Sequence, residues 1–538
     1  MERLLHRSVY VLFFILVLVF GFVGGIQTNK IWDIKFSTYY GAAKDDNNYA
    51  IAVDSAGNCY LGGQTRSSSF PLINPINDTK TGLSAYIGKF SPTGQLLWST
   101  YLGGSGNDKI TGIAIDSTNN VVVLGSTDSS DFVIKNAYQS TKDNTYSFFV
   151  TKFSSVGDLV WSTYLGGSGY DYPTAITVDS SDNILITGEA ELSFPTVSAM
   201  NSTNNGYYDT VVAKMSSSGQ LLWSTFLGGS DSDSGTGIAT TSDGGVVVLG
   251  STTSSNFPTK AAYDSTYSTG TADSFISKFS SDGHLEWSTY LGGTGSDYPR
   301  GIAVGPKDNI VVIGDTDSTD FPLKNEFQSS LKGVSDQYVS MFDSFGNLEW
   351  STYLGGSDQE RGGKVAFDYN GKIIVSGITE SNNFPMSDVY TGPFRIAASI
   401  AVFSSTGSIE RGFYYGSGLF ESPQVAITPT NDIMLSGYSS STMLPMVNAM
   451  NSTNNGLNDA FLVKFTSDPI VIPTTSISST NSTTSNTTST SSNTPSSTST
   501  TTTPSQSSRQ SRTYGSSYMV TMFLMISLVV VRNKSSGP

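Results

Sequence analysis

The sequence has very little of the residues that most catalytic and metal centres use. Of its 538 residues, one is cysteine, Cys59, and two are histidine, His6 and His284. A single cysteine excludes a disulfide framework within the chain. Two isolated histidines exclude histidine-based triads and zinc clusters. Charged residues make up only 14% of the chain, so serine, threonine, asparagine and glycine must supply most of the hydrated surface.

Positive charge and helical patterning are also scarce. The formal net charge is -15, which disfavours nucleic acid and anionic lipid as partners and is compatible with cation binding. Between residues 27 and 473 the apolar residues show no sustained helical period. These two observations favour an all-β domain that does not bind nucleic acid.

One stretch organises most of the chain. Residues 94–112 read GQLLWSTYLGGSGNDKITG, and close copies follow at a nearly fixed spacing. The steps between the repeated tryptophans are 63, 62, 64 and 63 residues, the tryptophans being Trp98, Trp161, Trp223, Trp287 and Trp350. Degenerate copies place Phe36 and Arg411 at the tryptophan position. The chain therefore has seven repeat units, which is typical of a solenoid, an array or a propeller.

The strand content of one unit favours the propeller. Four short apolar runs lie between turn residues, at 112–116, 121–125, 148–153 and 159–165, and four strands per unit is the pattern of a propeller blade. If the first run is innermost and the tryptophan run outermost, the last blade has only three strands of its own. The N-terminal strand, residues 34–40, then completes that blade and leaves no open sheet edge.

The connections predict which face carries function. Turns between first and second strands and between third and fourth strands have 4 and 5 residues, whereas the other two connections have 22 and 9. In an up-and-down blade both long classes emerge on one face, where binding is expected. Each 22-residue loop carries two apolar residues six positions apart: Phe70 and Ile76, Phe132 and Tyr138, Phe194 and Met200, Phe257 and Tyr263, Phe321 and Phe327, Phe384 and Tyr390, Leu444 and Met450. The pairs either form a ligand-binding ring or pin each loop onto its own blade, and their sevenfold recurrence favours the second interpretation.

The body of the chain resembles a known repeat family. The segment WSTYLGGSGND followed by GIAIDSTNNVVVLGSTDSSDF, residues 98–132, and its counterparts in every period are similar to the seven-bladed beta-propeller (SBBP) repeats of prokaryotic secreted and surface proteins. The resemblance implies an all-β, seven-bladed propeller of four-stranded blades. It implies surface adhesion, or recognition of carbohydrate or protein, only loosely, and it supplies no catalytic residue.

One set of carboxylates recurs near the inner strands. Counting four residues from the second glycine of YLGG gives Asp46, Asp108, Asp171, Asp233, Asp297, Glu360 and Glu421. Such an acidic ring could hold Ca²⁺ through oxygen ligands. Alternatively, each carboxylate caps the turn into its strand, and this interpretation is favoured because no run matches a known calcium loop. No other cofactor and no catalytic residue is predicted.

Both ends of the chain differ from the repeats. Residues 1–25 have a basic start, an apolar run and small residues, and are predicted to be a cleaved signal peptide, with an uncleaved anchor as the alternative. After the propeller, residues 31–468, a Ser/Thr/Pro-rich stalk is predicted at 469–513. Residues 514–531 are predicted to span the membrane and 532–538 to form a cytoplasmic tail, with a lipid-anchor signal as the alternative. Sequons at Asn77, Asn201, Asn451, Asn481 and Asn486 predict a glycoprotein.

These observations together predict a cell-surface protein. We expect a single-pass membrane protein with an extracellular, monomeric propeller that binds surface glycans or proteins. Two other classes stay open: a structural component of the cell envelope, and a carboxylate-dependent glycan hydrolase or lyase. Two carboxyls at the separation that glycosidases require would favour the enzyme, whereas an aromatic, carboxylate-poor loop face would favour binding.

Overall fold

The chain forms a seven-bladed β-propeller. A computed structural model of the chain describes residues 33–142, 145–268, 270–385, 396–419, 421 and 423–466. Within these residues, 28 strands form seven antiparallel sheets of four strands each. The innermost strands of successive sheets contact one another around a closed ring. The seven blades and their four strands are those predicted from the repeat.

The 28 strands fall into four classes according to their position in the blade. The innermost strands are β2 (Asp46–Val53), β6 (Asp108–Ile115), β10 (Asp171–Val178), β14 (Asp233–Thr240), β18 (Asp297–Val304), β22 (Glu360–Phe367) and β26 (Gln424–Ile427). The second strands are β3 (Cys59–Thr65), β7 (Val121–Thr127), β11 (Ile184–Ala190), β15 (Val246–Thr252), β19 (Ile310–Thr316), β23 (Ile373–Thr379) and β27 (Ile433–Ser439). The third are β4 (Ser84–Phe90), β8 (Ser147–Phe153), β12 (Asp209–Met215), β16 (Asp273–Phe279), β20 (Asp336–Phe342), β24 (Ala397–Phe403) and β28 (Asp459–Thr466). The outermost are β5 (Leu96–Leu102), β9 (Leu159–Leu165), β13 (Leu221–Leu227), β17 (Leu285–Leu291), β21 (Leu348–Leu354), β25 (Ile409–Tyr415) and β1 (Asp33–Tyr40). One 3₁₀ turn, Pro306–Asp308, precedes β19.

The N-terminal strand closes the ring, as predicted. β1 is the outer strand of blade 7 and pairs antiparallel with β28, with Asp33 opposite Thr466 and Tyr40 opposite Ala460. Tyr39 and Tyr40 are fully buried. Because β1 covers β28, the last blade has no unpaired third strand.

Each repeated tryptophan docks on the following blade. The five indoles are almost fully buried. In blade 2, for example, the Trp161 Nε1–H donates to the Ser217 carbonyl oxygen of the next blade at 3.1 Å. The ring lies against Gly219, whose φ of +83° and lack of a side chain leave room for the indole. Phe36 occupies the same place against Gly94, so this degenerate copy keeps the packing between blades.

The two long classes of connection emerge on one face, which we call the long-loop face. In blade 2 the second strand ends at Thr127 and the third begins at Ser147, while Leu102 and Asp108 flank the connection from blade 1. These connections have 19 and 5 residues. The predicted lengths of 22 and 9 were wrong because the inner strand begins four residues earlier than its apolar run and the second strand extends past Gly125.

The long loops also cover the outer edges of the blades. After leaving the second strand, a loop segment runs antiparallel to the outermost strand and forms isolated bridges with it, such as Ile73 with Ser99 and Lys135 with Ser162. The backbone groups of the outer strand thereby find partners, and the edge is not open for pairing with another chain.

The paired apolar residues of these loops have two different environments. The first member of each pair is 3–5% exposed: Phe70, Phe132, Phe194, Phe257, Phe321, Phe384 and Leu444. Phe132, for example, stacks on Phe149 of the third strand at 4.4 Å between ring centroids. The second members that are described are 38–46% exposed: Ile76, Tyr138, Met200, Tyr263, Phe327 and Met450. The first residue therefore pins the loop to its blade. The second residue is only partly buried against the protein and contributes less to holding the loop.

Several predictions made from the sequence concern other parts of the chain. The signal peptide at 1–25, the stalk at 469–513, the membrane span at 514–531, the tail at 532–538 and Tyr390 all lie outside the described residues. Among the residues that are described, no helix has the length and apolar character needed to cross a bilayer.

Candidate functional site

The inner strands separate constant positions from variable ones. In six blades the first residue of the inner strand is Asp or Glu and is buried, whereas the second residue is accessible to solvent. The second residues differ from blade to blade: Asn47, Lys109, Tyr172, Ser234, Tyr298 and Arg361. The fourth residues differ too: Tyr49, Thr111, Thr174, Thr236, Arg300 and Gly363. Since the scaffold tolerates many residue types here, these positions are candidates for specific binding.

A cavity occupies the centre of the ring. Its volume is about 280 Å³, and residues from six inner strands line it, including Tyr49, Lys109, Thr236, Arg300 and Lys364. Three of these five residues are cationic. The centre of this acidic protein therefore contains a local excess of positive side chains.

The predicted carboxylates are repeated caps of the inner strands. Asp46, Asp108, Asp171, Asp233, Asp297 and Glu360 begin β2, β6, β10, β14, β18 and β22 and are at most 1% exposed. Each accepts a hydrogen bond from the backbone N–H four residues earlier, which in five blades belongs to the second glycine of YLGG. A serine after the second strand also donates to the carboxylate in blades 1, 2, 4 and 5. Glu421 differs, because it is exposed and lies outside any strand.

Four of these caps face a second carboxylate that the sequence analysis missed. The third strand of the preceding blade begins with Asp209, Asp273, Asp336 or Asp459. A methyl group built on Gly228 would clash with both Asp209 and Asp233. Gly292 lies in the same way beside Asp273 and Asp297, and Gly355 beside Asp336 and Glu360. The first glycine of YLGG is therefore needed because the two carboxyls occupy the space beside it.

Burial dominates the ionisation of these pairs. Burial, together with the charge of the partner carboxylates Asp233 and Asp297, raises the pKa of Asp209 and of Asp273 to about 6, although backbone hydrogen bonds partly oppose the shift. Burial and then Asp46 raise the pKa of Asp459 to about 7. One oxygen each of Asp209, Asp273 and Asp459 accepts no hydrogen bond in the described structure. Each pair therefore holds a proton more tightly than an exposed carboxyl does.

A calcium site at the acidic ring stays a prediction. Across the part of the chain that the structure describes, no three His, Cys, Asp or Glu side chains form a group suited to hold a metal ion. The six buried carboxylates lie one at each blade junction, and Glu421 lies apart from them. A bound cation would have to use a pair of carboxyls together with backbone or water oxygens.

Tyrosines cluster on the long-loop face at blades 2 and 3. Tyr146 stacks on Tyr170 with ring centroids 6.0 Å apart. Tyr170 and Tyr172 are 6.2 Å apart and nearly parallel, with 7° between their planes. Tyr208 packs at 6.1 Å on Tyr172. We call these four residues the tyrosine cluster; Tyr170 and Tyr172 are each 38% exposed, and Tyr207 beside them is 73% exposed.

Two glutamates flank the tyrosine cluster. The Glu191 carboxylate accepts a hydrogen bond from the Tyr170 N–H at 3.1 Å. Burial raises the pKa of Glu189 above its ordinary value. Burial, followed by neighbouring phenols and Glu189, also raises the pKa of Tyr172. The Tyr172 phenol is therefore neutral near pH 7 and can donate a hydrogen bond to a ligand.

The sequence contained a signal for this cluster. Tyr172 occupies the position of Ser234 in blade 4, and Tyr170 occupies that of Ser232. Tyr146 and Tyr208 share one repeat position, which is alanine in blade 4. The sequence analysis examined what the repeats share, whereas the cluster consists of residues in which they differ.

Part of the chain matches a family of propeller repeats. The matching model is a beta-propeller repeat, SBBP, and it covers residues 35–71, 97–132, 160–191 and 286–322. These four stretches are similar to the SBBP repeat. Each starts in an outer strand and continues into the first two strands of the next blade. The matched stretch therefore spans a blade junction and includes the capping carboxylate. In three of the four stretches it also includes the tryptophan and the glycine pair.

Two curated proteins are similar to longer parts of the chain. An uncharacterized WD repeat-containing protein of Acanthamoeba polyphaga mimivirus is 25% identical over 443 residues, which is 66% of this chain and 31% of that protein. Regulatory protein FlaEY of Caulobacter vibrioides is 24% identical over 210 residues, which is 38% of this chain and 22% of that protein. The chain thus spans less than a third of the length of either relative.

Two solved structures are similar to the chain at low sequence identity. Polysaccharide lyase Uly1 has a TM-score of 0.44 and 9% identity, and the likeness covers 81% of this chain and 99% of that one. An alpha-L-arabinofuranosidase of Fusarium graminearum, in complex with arabinobiose, has a TM-score of 0.38 and 10% identity, covering 65% of this chain and 93% of that one. At these scores neither likeness carries an inference about activity.

Proposed function

We propose that this propeller is an extracellular binding module that takes a glycan at the tyrosine cluster. The observation that supports the proposal is the set of stacked, partly exposed rings on the long-loop face. A monomeric soluble surface seldom exposes a contiguous group of large apolar rings without a binding role. The rings occupy positions whose residue type varies from blade to blade, so packing of the propeller does not require tyrosine there.

The chemistry of the cluster suits a sugar better than a flat protein surface. Pyranose rings have faces of C–H groups and edges of hydroxyls. The nearly parallel rings of Tyr170 and Tyr172 provide flat surfaces for such faces, and their phenol oxygens, together with the Glu191 carboxylate, provide donors and acceptors for the hydroxyls. The few charges around the rings leave carbohydrate as the class that we favour.

The first prediction concerns the two central rings. Tyr170→Ser and Tyr172→Ser introduce residues that blade 4 carries at the same positions, so the fold should tolerate them. We expect each change to weaken glycan binding roughly tenfold or more, because aromatic residues at the centre of a site carry much of its binding energy. A glycan array identifies the ligand, and calorimetry with that glycan measures the change.

A matched control lies on the opposite face. Tyr369 is 71% exposed in a turn between a first and a second strand, and Tyr369→Ser should leave glycan affinity unchanged. Two results would contradict the proposed function. One is that the parent protein binds no glycan, and the other is that Tyr170→Ser and Tyr172→Ser bind the glycan as tightly as the parent and the Tyr369→Ser control do. The first of these results would favour a structural role in the envelope.

An enzyme is the second candidate, and Glu189 favours it. A glutamate whose pKa is raised by burial, and which lies beside tyrosines that a ligand can reach, has the properties of a general acid. Blades 2 and 4 carry Ser126 and Ser251 at its position. If the bound glycan is cleaved, new reducing ends or unsaturated ends appear during incubation, and their absence restricts the function to binding.

We also propose that the propeller is displayed outside the cell by a membrane span at residues 514–531. Support comes from the sequence patterns at the two ends of the chain. Protease added to intact cells should release a fragment that contains the propeller and begins near residue 26. Recovery of the whole chain in a soluble fraction, with none in membranes, would refute the anchor.

A further inference from the structure

Four cations gather at the centre of the acidic protein. Lys109, Arg300, Arg361 and Lys364 all come from inner strands and line the two adjoining cavities there. The chain as a whole has a formal charge of -15. The overall composition of such a chain does not explain a cluster of cationic side chains at its centre, so we expect that cluster to have a function.

An ion pair and a hydrogen bond hold two of these cationic side chains, Arg300 and Lys364, in place. The Arg300 guanidinium forms a two-pronged ion pair with Asp315, through Nε at 2.6 Å and a terminal nitrogen at 3.0 Å. The Lys364 Nζ donates to the Arg300 carbonyl oxygen at 2.8 Å. Two of the five N–H groups of Arg300 thus bind Asp315, and the others can serve a further acceptor.

The cavity beside the inner strand of blade 6, which residues of blades 5 and 7 also line, has an excess of positive charge. Its volume is about 430 Å³, and its charged lining residues are Arg300, Arg361, Lys364 and Glu421. Three cations therefore face one carboxylate within this cavity. Burial, and then the charge of Arg300, lower the pKa of Lys364 to about 8, which indicates that the ammonium lacks full compensation.

The repeat shows that the propeller does not need these cations. The fifth residue of the inner strand is Ala50, Gly112, Ala175, Gly237 or Gly301 in blades 1 to 5, and Lys364 in blade 6. The Arg361 position is serine in blade 4, and the Arg300 position is threonine in blades 2, 3 and 4. Lys109 holds the Arg361 position in blade 2 and lines the central cavity. Otherwise these three positions carry neutral residues in blades 1 to 6 wherever they do not face this cavity.

We propose that the cavity beside the inner strand of blade 6 binds an oxyanion, namely a carboxylate or a sulfate group, through Arg300, Arg361 and Lys364. Two oxygens of a carboxylate or of a sulfate match the paired donors of a guanidinium group, and the negative charge of the oxyanion offsets the repulsion among the three cations. The oxyanion is either a free ion or an acidic group on a sugar chain. The site is independent of the tyrosine cluster, so it stands or falls separately from the proposed function.

The test is calorimetry on the purified full-length chain with two probes, inorganic sulfate and trigalacturonate, at constant ionic strength. Arg361→Ser and Lys364→Ala introduce residues found at the same positions of other blades and should fold normally. We expect each to weaken binding roughly fivefold to tenfold, while Lys364→Arg retains it. Lys307→Asn removes one charge from an exposed turn on the opposite face, where φ is +65°, and should have no effect.

The two probes distinguish the sources of the oxyanion. Tighter binding of sulfate indicates a free ion, and tighter binding of trigalacturonate indicates the acidic group of a sugar chain; either result supports the site if the variants weaken it. Failure of both probes to bind the parent protein would overturn the proposal. Equal binding by the parent, Arg361→Ser and Lys364→Ala would overturn it as well.

Discussion

A chain that lacks residues 33–41 is expected to lose its cooperative unfolding transition. Those residues form β1 and bury Phe36, Tyr39 and Tyr40 almost completely. Full burial of one such side chain stabilises a fold by about 1.5–3 kcal/mol, so the three together contribute on the order of 5–9 kcal/mol. This is comparable with the entire net stability of a typical domain, about 5–15 kcal/mol. Removal of β1 also exposes the edge of β28.

Calorimetry and light scattering measure this effect. The truncated chain should melt without a sharp transition or aggregate, and a synthetic peptide of residues 33–41 should restore the transition when added. Lys35→Ser changes an exposed residue of the same strand and should shift stability by about 0.5 kcal/mol or less. An unchanged melting curve for the truncated chain would show that blade 7 does not depend on β1.

The propeller is expected to lose stability as the pH rises from about 4 to 7. Burial, followed by a neighbouring carboxylate, raises the pKa of Asp209 and Asp273 to about 6 and that of Glu360 and Asp459 to about 7. In the unfolded chain such groups titrate near 4. Between these values the folded state binds more protons than the unfolded state, so the free energy of unfolding falls as pH increases. With four groups the fall should reach several kcal/mol, at about 1.4 kcal/mol per unit of pKa difference.

Other carboxylates set the lower limit of this range. Burial alone would raise the pKa of Asp116, but hydrogen bonds from Lys152 and Asn120 outweigh it and lower the pKa to about 2. Such a group stabilises the fold above pH 4 and loses that contribution as pH falls toward 2. Maximum stability is therefore expected near pH 4 to 5.

Repeat-matched variants isolate the carboxyl pairs. Blades 1 and 2 carry Ser84 and Ser147 where later blades carry Asp209 and Asp273. The double change Asp209→Ser and Asp273→Ser should raise the melting temperature at pH 8 and flatten the pH dependence between 4 and 7. Asp282→Ser removes an exposed carboxylate in a turn on the opposite face and serves as the control. A parent protein whose stability is constant from pH 4 to 8 would disprove this account of the pairs.

The same measurements test the predicted calcium site. If Ca²⁺ occupies the acidic ring at neutral pH, it stabilises the folded state by about 2.7 kcal/mol at a hundredfold excess over its Kd, and a chelator lowers the melting temperature. The triple change Asp108→Asn, Asp171→Asn and Asp297→Asn should then abolish that sensitivity. If the carboxylates only cap their strands, neither the chelator nor the triple substitution should change the melting temperature much. We expect this second result, because the caps accept backbone hydrogen bonds that an asparagine oxygen can also accept.

Much of the fold was predictable because the repeat determines it. The WSTYLGG motif and its degenerate copies at Phe36 and Arg411 fix the positions of the outer strands. The order of strand types along the chain predicts the closure of blade 7 by β1. Strand boundaries were less predictable: the inner strand begins at Asp108 and not at Gly112, because its first residues alternate between buried and accessible sides and form no apolar run.

The site was less predictable because it depends on contacts across blades. Asp233 is evident in the sequence as a residue before an inner strand, but its partner Asp209 belongs to the third strand of the preceding blade. Nothing local connects the two residues; only the repeat period, applied to that third strand, places them at one junction. Phe132 and Tyr138 likewise look equivalent in the loop, and only the path of the backbone decides that the first is buried while the second is 38% exposed.

The pairing of β1 with β28 has a mechanical consequence. Asp33 and Thr466 lie opposite each other, so both ends of the propeller leave from the face opposite the long loops. A ligand held at the long-loop face and a pull transmitted through the chain after Thr466 would load β28 lengthwise. The hydrogen bonds that join β28 to β1 and to β27 would then share the load in shear and would not open one at a time. Pulling Asp33 and Thr466 apart would peel the same strands from their ends, so the propeller should resist force far better in the first direction than in the second.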